Sequence, residues 1–235
     1  MYIMPFHPRL DADGQGAARV QGLFDSLKAS PEKVREQILL AADVVFANDG
    51  YAGTTVQGIA VQAGLPKSNV LYHFKSKDKL YARVLERIAV PYLKACSAFS
   101  AEDEPLQALA RHLRAMIRLF RDEPHAAKVF MVELREGAPR LPSQYADQWR
   151  DQASISVGCL GRWIERGLLA PMHPHFLLLS IWSMAQSSVS LGWQMSGISQ
   201  PSVAAIDHEA AIETATRLIL RGLIPVEQLA HLPAA

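Results

Sequence analysis

Between Thr54 and Lys79 the chain gathers groups suited to holding oxyanions and reading the edges of bases. In TTVQGIAVQAGLPKSNVLYHFKSKDK, Lys67, Lys75, Lys77 and Lys79 stand against the single acid Asp78. Ser68, Asn69, Tyr72 and His73 add a hydroxyl, an amide, a phenol and an imidazole. Lysines, hydroxyl donors and helix amino ends are what a phosphate backbone selects.

Such groups act only when a scaffold presents them. Thr54 and Thr55 suit a helix start, where a side-chain oxygen accepts from an unpaired first-turn amide. Val56, Ile59, Ala60 and Ala63 recur at helical spacing, and Gly64 can end that helix in the left-handed conformation. Leu65 and Pro66 complete a turn into a short helix, Lys67 to His73, with Val70, Leu71 and Phe74 as its inward side. Ser76 can cap a third helix, so that its amino end and Lys77 both face an anion. A short polar-faced helix set after another by a tight turn fits a DNA major groove. Two surface helices of an ordinary helical domain would show the same helix–glycine–helix pattern. The lysine excess favours the nucleic-acid reading.

The stretch GYAGTTVQGIAVQAGLPKSNVLYHFKSKDKLYARVL, residues 50–85, resembles the amino-terminal DNA-binding module of TetR-family transcriptional regulators. The match is dense over residues 33–90. The resemblance implies that Thr55 starts the first helix of the motif and touches phosphate. It implies that Lys67, Ser68 and Asn69 lie at the groove end of the recognition helix, that Tyr72 and His73 lie against phosphates, and that Lys77 anchors the next helix to the backbone. Pro66 departs from the family, which usually has a serine or threonine there, so no phosphate contact is carried over to it.

The whole chain has 235 residues, 49% hydrophobic and 20% charged, with a formal net charge of +1. Nucleic-acid affinity must therefore come from local charge. Residues 31–90 hold eight Lys/Arg and six Asp/Glu, a modest excess that predicts weak binding by one copy and a need for two. Cys96 and Cys159 belong to no CxxC pair and read as small core residues in a reducing cytoplasm rather than a redox sensor. No amino-terminal stretch has the pattern of a signal peptide, so a cytoplasmic location is expected. Phe176 to Met195 is apolar but broken by five serines and Gln186, which predicts a buried helix and no membrane span.

The expected fold class is all-α. A three-helix DNA-binding domain with a helix-turn-helix, residues 31–75, precedes a larger antiparallel helical ligand-binding and dimerisation domain, residues 76–224. Residues 1–30 are expected to form a mobile N-terminal extension and 225–235 a tail. A first helix runs from Pro31 to Asn48 and ends at Gly50. Pro91 should kink or interrupt the helix that begins at Ser76. Further helices are expected near 104–121, 123–135, 143–168, 174–196 and 205–222, punctuated by segments such as Gly197 to Pro201. Phe176 to Met195 is apolar on more than one face, and Ile212, Ala215, Thr216, Ile219 and Leu220 form a second stripe. A two-fold partner would cover both, and the resemblance implies a four-helix homodimer interface there.

Catalytic patterns are missing: the chain has no GxSxG, Walker A, GxGxxG or HExxH motif. Neither an enzyme nor a cofactor or metal is expected. His173 and His175 lack a third ligand nearby, and Glu133 with Glu136 reads as surface pairing to Arg135 and Arg140. Phe120, Phe130, Met131, Trp163, Trp182, Met184, Gln186 and Trp193 are candidates to build a pocket. Trp182 and Gln186, four apart, share a helix face, and an aromatic plane beside an amide suits a small planar heterocycle. The same tryptophans equally suit a plain core, with Gln186 bound to a backbone group. VFMVELREGAP at 129–139, GRWIERGLLAPMHP at 161–174 and IWSMAQ at 181–186 are similar to the ligand domain of pyrimidine-utilisation repressors within the TetR family, which respond to uracil or thymine. That implies a small polar planar effector. Among the pocket candidates, Phe130, Trp163, Trp182 and Gln186 are the expected contacts. The sequence thus points to a homodimeric regulator on double-stranded operator DNA, a repressor released by a planar effector such as a pyrimidine. The alternatives are a helix-turn-helix protein with no effector, and a small-molecule-binding enzyme or carrier.

Overall fold

The computed structural model describes residues 30–97, 99–190 and 208–225, and among these every regular element is an α-helix. In chain order they are α1 (Pro31–Gly53), α2 (Val56–Ala63), α3 (Lys67–Phe74), α4 (Lys77–Cys96), α5 (Pro105–Asp122), α6 (Pro124–Arg135), α7 (Ser143–Glu165), α8 (Pro174–Ser190) and α9 (His208–Leu223). The expected extension over 1–29, Trp193, the punctuation at 197–201 and the tail beyond 225 lie outside the described residues.

Proline at its first turn opens α1, which buries Ile38, Ala41, Ala42 and Phe46 against α2, α4 and α6. Gly50, at φ 68°, interrupts the helical dihedrals as expected, but one more turn, Tyr51 to Gly53, follows it. Thr54 does not cap the next helix. It is buried, and its hydroxyl donates back to the Gly50 carbonyl at 2.7 Å. Thr55 is the cap, its oxygen accepting from Gly58 N–H at 3.0 Å. Gly64 ends α2 at φ 65°, and Pro66 leads into α3. Val70 and Phe74, one turn apart, take the inner side of α3. Leu71, expected inward, is 37% exposed, because eight residues offer only one narrow face to the core.

Ser76 caps α4, its Oγ accepting from Lys79 N–H at 3.2 Å. Pro91 does not interrupt this helix, which runs unbroken to Cys96. Proline removes one hydrogen bond to the preceding turn. Ile88, Ala89, Tyr92 and Ala95 around it are buried, and burial of large apolar side chains at ~1.5–3 kcal/mol each offsets that loss. The core continues through α5 (Leu109, Leu113, Met116, Phe120), α7 (Leu160, Trp163) and α8 (Leu178, Ile181, Ala185). Buried His112 ties α5 to α4, its Nδ1 lying 2.8 Å from the Ala95 carbonyl oxygen, and burial pushes its pKa below the usual histidine value. Among the described residues no helix is long and apolar enough to cross a membrane.

Candidate nucleic-acid interface and ligand cavity

The outer face of α3 carries Lys67, Ser68, Asn69 and Tyr72, all exposed, with Tyr72 at 72%. His73 is half-buried against the Tyr72 ring, and Thr55 is exposed at the start of α2. Lys75 adopts φ 66°, and its Nζ folds back onto the Tyr72 carbonyl at 2.8 Å. Of the six residues from Thr55 to His73 expected to meet DNA, five are exposed and His73 is half-buried.

Lys77 has a second role that its sequence position did not reveal. Its Nζ donates to the carbonyls of Tyr51 at 2.9 Å and Thr54 at 3.0 Å, and lies 4.4 Å from the Tyr51 ring centroid. It pins the end of α1 to α4. An ammonium has three N–H donors, so one remains for a phosphate.

Two polar junctions join this module to the rest of the protein. Arg87 of α4 meets Asp43 at 3.1 Å and Glu36 at 3.1 Å on α1, and Glu123 at 2.6 Å before α6. Burial raises Asp43 to about 7; Arg87 opposes the rise, while Glu123 and Glu36 add to it. Three carboxylates around one guanidinium leave the deepest one readiest to take a proton. At the other junction Tyr81 of α4 donates to Glu133 Oε2 of α6 at 3.0 Å. The other Glu133 oxygen accepts from the Arg140 backbone N–H, and the Arg140 guanidinium lies 4.0 Å from the Tyr51 ring centroid. Tyr51 and Tyr81 meet edge-on at 4.9 Å. Glu133 is only 1% exposed, which corrects the expectation of surface pairing. Among the described residues no group of three His, Cys, Asp or Glu could hold a metal ion.

Between α4, α6, α7 and α8 lies a cavity of ≈ 410 Å³. Tyr92 forms one wall, and Trp149, Trp182, Ser183 and Gln186 form another. Met131, Leu134, Arg135, Gly137, Ala138 and Leu141 come from α6 and the turn after it. Trp182 and Gln186 therefore lie where their spacing suggested. Trp149, absent from the sequence expectation, packs on Trp182 with ring centroids 5.5 Å apart. Both indole N–H groups are buried without a hydrogen bond of good geometry, although Trp149 is near enough to the Tyr92 hydroxyl to influence it.

Two expected ligand contacts are elsewhere. Trp163 is fully buried, donates to the Ala101 carbonyl at 3.0 Å and packs on Phe99 at 5.6 Å. It lies fourteen positions beyond Trp149 on α7, ~21 Å farther along the axis, so it belongs to the far end of the core. Phe130 sits behind Tyr92, ring centroids 5.1 Å apart, while its neighbour Met131 faces the cavity. Adjacent helix positions point about 100° apart, and only one of the pair could line the space. Cys96 and Cys159 are free and buried, as expected, and burial pushes the Cys96 thiol up to about 12.

A family model described as "Bacterial regulatory proteins, tetR family" matches residues 38–84, and one described as "YcdC-like protein, C-terminal region" matches residues 85–226. The second alone spans more than half of the chain. The chain belongs to the TetR family. It is a DNA-binding transcriptional regulator with α2 and α3 as its helix-turn-helix. The HTH-type transcriptional regulator RutR of Escherichia coli (strain K12) is 29% identical over 212 residues, covering 90% of this chain and 99% of RutR. The HTH-type transcriptional repressor BepR of Brucella suis biovar 1 is 29% identical over 151 residues, covering 61% of this chain and 72% of BepR. A TetR-family regulatory protein from Rhodococcus RHA1 shares the fold at TM-score 0.66 and 23% identity, over 82% of this chain and 97% of that one. The TetR-family regulator PfmR from Thermus thermophilus does so at TM-score 0.59 and 23% identity, over 79% and 97%.

Proposed function

We propose that this TetR-family protein is a cytoplasmic, homodimeric repressor, released from a palindromic operator when a small planar molecule enters the α4–α6–α7–α8 cavity. One arrangement carries the reading. The turn after α6 closes one side of the cavity through Gly137, Ala138 and Leu141. The same turn holds Arg140 over Tyr51, beside Glu133 and its bond to Tyr81. A ligand that shifts this turn therefore bears directly on the α1–α4 junction that orients α3.

Exposed Phe176 at 68% and Leu179 on α8, with Leu218 at 65% on α9, support a two-fold partner. Two copies would set their α3 helices in successive major grooves, ~34–36 Å apart or a multiple of it. The similarity to RutR, together with Trp182 and Gln186 in the cavity, supports a ring compound such as a pyrimidine as effector.

The test is linkage. A coupling of ~1–3 kcal/mol makes an effector lower operator affinity roughly 5–150-fold, and saturating operator must weaken effector binding by the same factor. Fluorescence anisotropy of a labelled operator, with and without effector, measures one direction, and calorimetry of the operator complex measures the other. An effector whose affinity is the same with and without bound operator would refute release. For the DNA half, Asn69→Ala should change base preference while leaving binding to random DNA nearly intact.

A further inference from the structure

The class of effector can be narrowed from the cavity's polar groups, an inference that rests on the effector-release reading above. Those groups are lopsided. Arg135 and Arg150 bring positive charge, and Trp149 and Trp182 bring ring surface, their indole N–H groups being buried out of reach of solvent. No aspartate or glutamate is among the described lining residues. Arg150 is already paired with Asp147. The side chain of Arg135, exposed at the last turn of α6, makes no ion pair or hydrogen bond among the described residues. Among the described lining side chains, acceptor oxygens are those of Gln186, Ser183 and Tyr92. A neutral ring would leave the Arg135 guanidinium without a charged partner. A carboxylate supplies two acceptor oxygens and the opposite charge, and it matches the guanidinium fork in a bidentate pair.

We propose that the effector is a planar aromatic or heteroaromatic carboxylate. Its ring lies against the Trp149–Trp182 pair and its carboxylate on Arg135. Arg135 is two residues from Glu133 and adjoins the Gly137–Ala138 turn. Capture of the anion there pulls on the same segment that contacts Tyr81 and Tyr51.

The test uses the full-length protein and matched pairs that differ in charge: benzoate against benzamide, and uracil-6-carboxylate against uracil. Quenching of tryptophan fluorescence and calorimetry report affinity, and operator anisotropy reports release. The carboxylate should bind at least ~10-fold tighter than its neutral mate in one pair or both. Arg135→Gln should remove that preference. Lys128→Gln, an equal charge change at an exposed position of α6 away from the cavity, should keep it. Neutral members binding as tightly in both pairs, a preference that survives Arg135→Gln, or no binding by either pair would each overturn the carboxylate assignment. Uracil binding and releasing operator with no gain from the carboxylate would sink this inference and leave the release mechanism standing. A carboxylate that binds through Arg135 yet leaves operator affinity unchanged would do the reverse.

Discussion

The helix-turn-helix and the ligand cavity are built by opposite means. The DNA-facing groups come from one continuous stretch, set by two capped helix starts and one left-handed glycine, and they point outward. The cavity takes side chains from four helices, from Tyr92 on α4 to Gln186 on α8, and they point inward. A surface that meets a repeating polymer can be made locally, because the polymer supplies the same phosphates everywhere. A pocket that separates one small molecule from its relatives needs several directions at once. The walls of the cavity can then change for a new ligand while the DNA module keeps its form. The two regions meet at Glu133 and Arg140, and that junction is where their contrast can be tested.

The largest effect should separate a core tryptophan from a cavity one. Trp163→Ala should cost ~3–5 kcal/mol of unfolding free energy in a denaturant titration, while the protein that remains folded keeps its effector affinity. Trp182→Ala should cost less stability, since it widens space already open, and should abolish effector binding. Loss of ligand by both variants at equal stability would erase the distinction. Next, Glu133→Ala should cost ~2–3 kcal/mol, because it strands the buried Tyr81 hydroxyl and the Arg140 N–H. Effector should still bind this variant, but operator affinity should no longer respond to it. Retained response in anisotropy would show that the two regions communicate by another path.

How much of each region could be read from the sequence follows from the same contrast. Thr55, Gly64, Ser76 and the exposed face of α3 were legible because each depends on neighbours within four positions. Trp182 and Gln186 were legible as a pair for the same reason. Their partner Trp149 was not, since only the packing of α7 on α8 brings it there. Trp163 and Phe130 have the right chemistry for a ligand wall, but periodicity cannot tell a core-facing aromatic from a cavity-facing one. Glu133 was read from its nearby arginines as a surface residue, whereas its partners are the phenol of Tyr81, fifty-two positions away, and a backbone amide. The extra turn after Gly50 and the uninterrupted α4 at Pro91 show packing overriding local breakers.

Lys77 and Lys67 sharpen the comparison within the DNA module itself. Lys77→Ala should lower stability by ~1–2 kcal/mol through the lost bonds to Tyr51 and Thr54, and weaken binding to all sequences. Lys67→Ala, at an exposed position, should leave the thermal midpoint unchanged and reduce the salt slope of DNA binding by about one unit. If both variants melt at the wild-type temperature, Lys77 is a phosphate ligand and no pin.

The smallest effect concerns the Arg87 junction and its pH dependence. Asp43 is raised to about 7 in the folded protein from 3.8, with desolvation as the main cause and Arg87 pulling the other way. The folded state therefore holds a proton that the unfolded chain releases. Stability from this group is fully present below about 4 and is lost as pH rises through about 7. Asp43→Asn keeps an acceptor for Arg87 but cannot ionise, so its denaturant midpoint should be flatter over that window. The variant should exceed wild type by ~1 kcal/mol at the alkaline end, where wild type carries a buried charge. Should wild type instead gain stability over the variant as pH rises from about 3 to about 5 and stay level above that, the Asp43–Arg87 attraction outweighs burial. The junction would then be an ion pair held by charge on both sides.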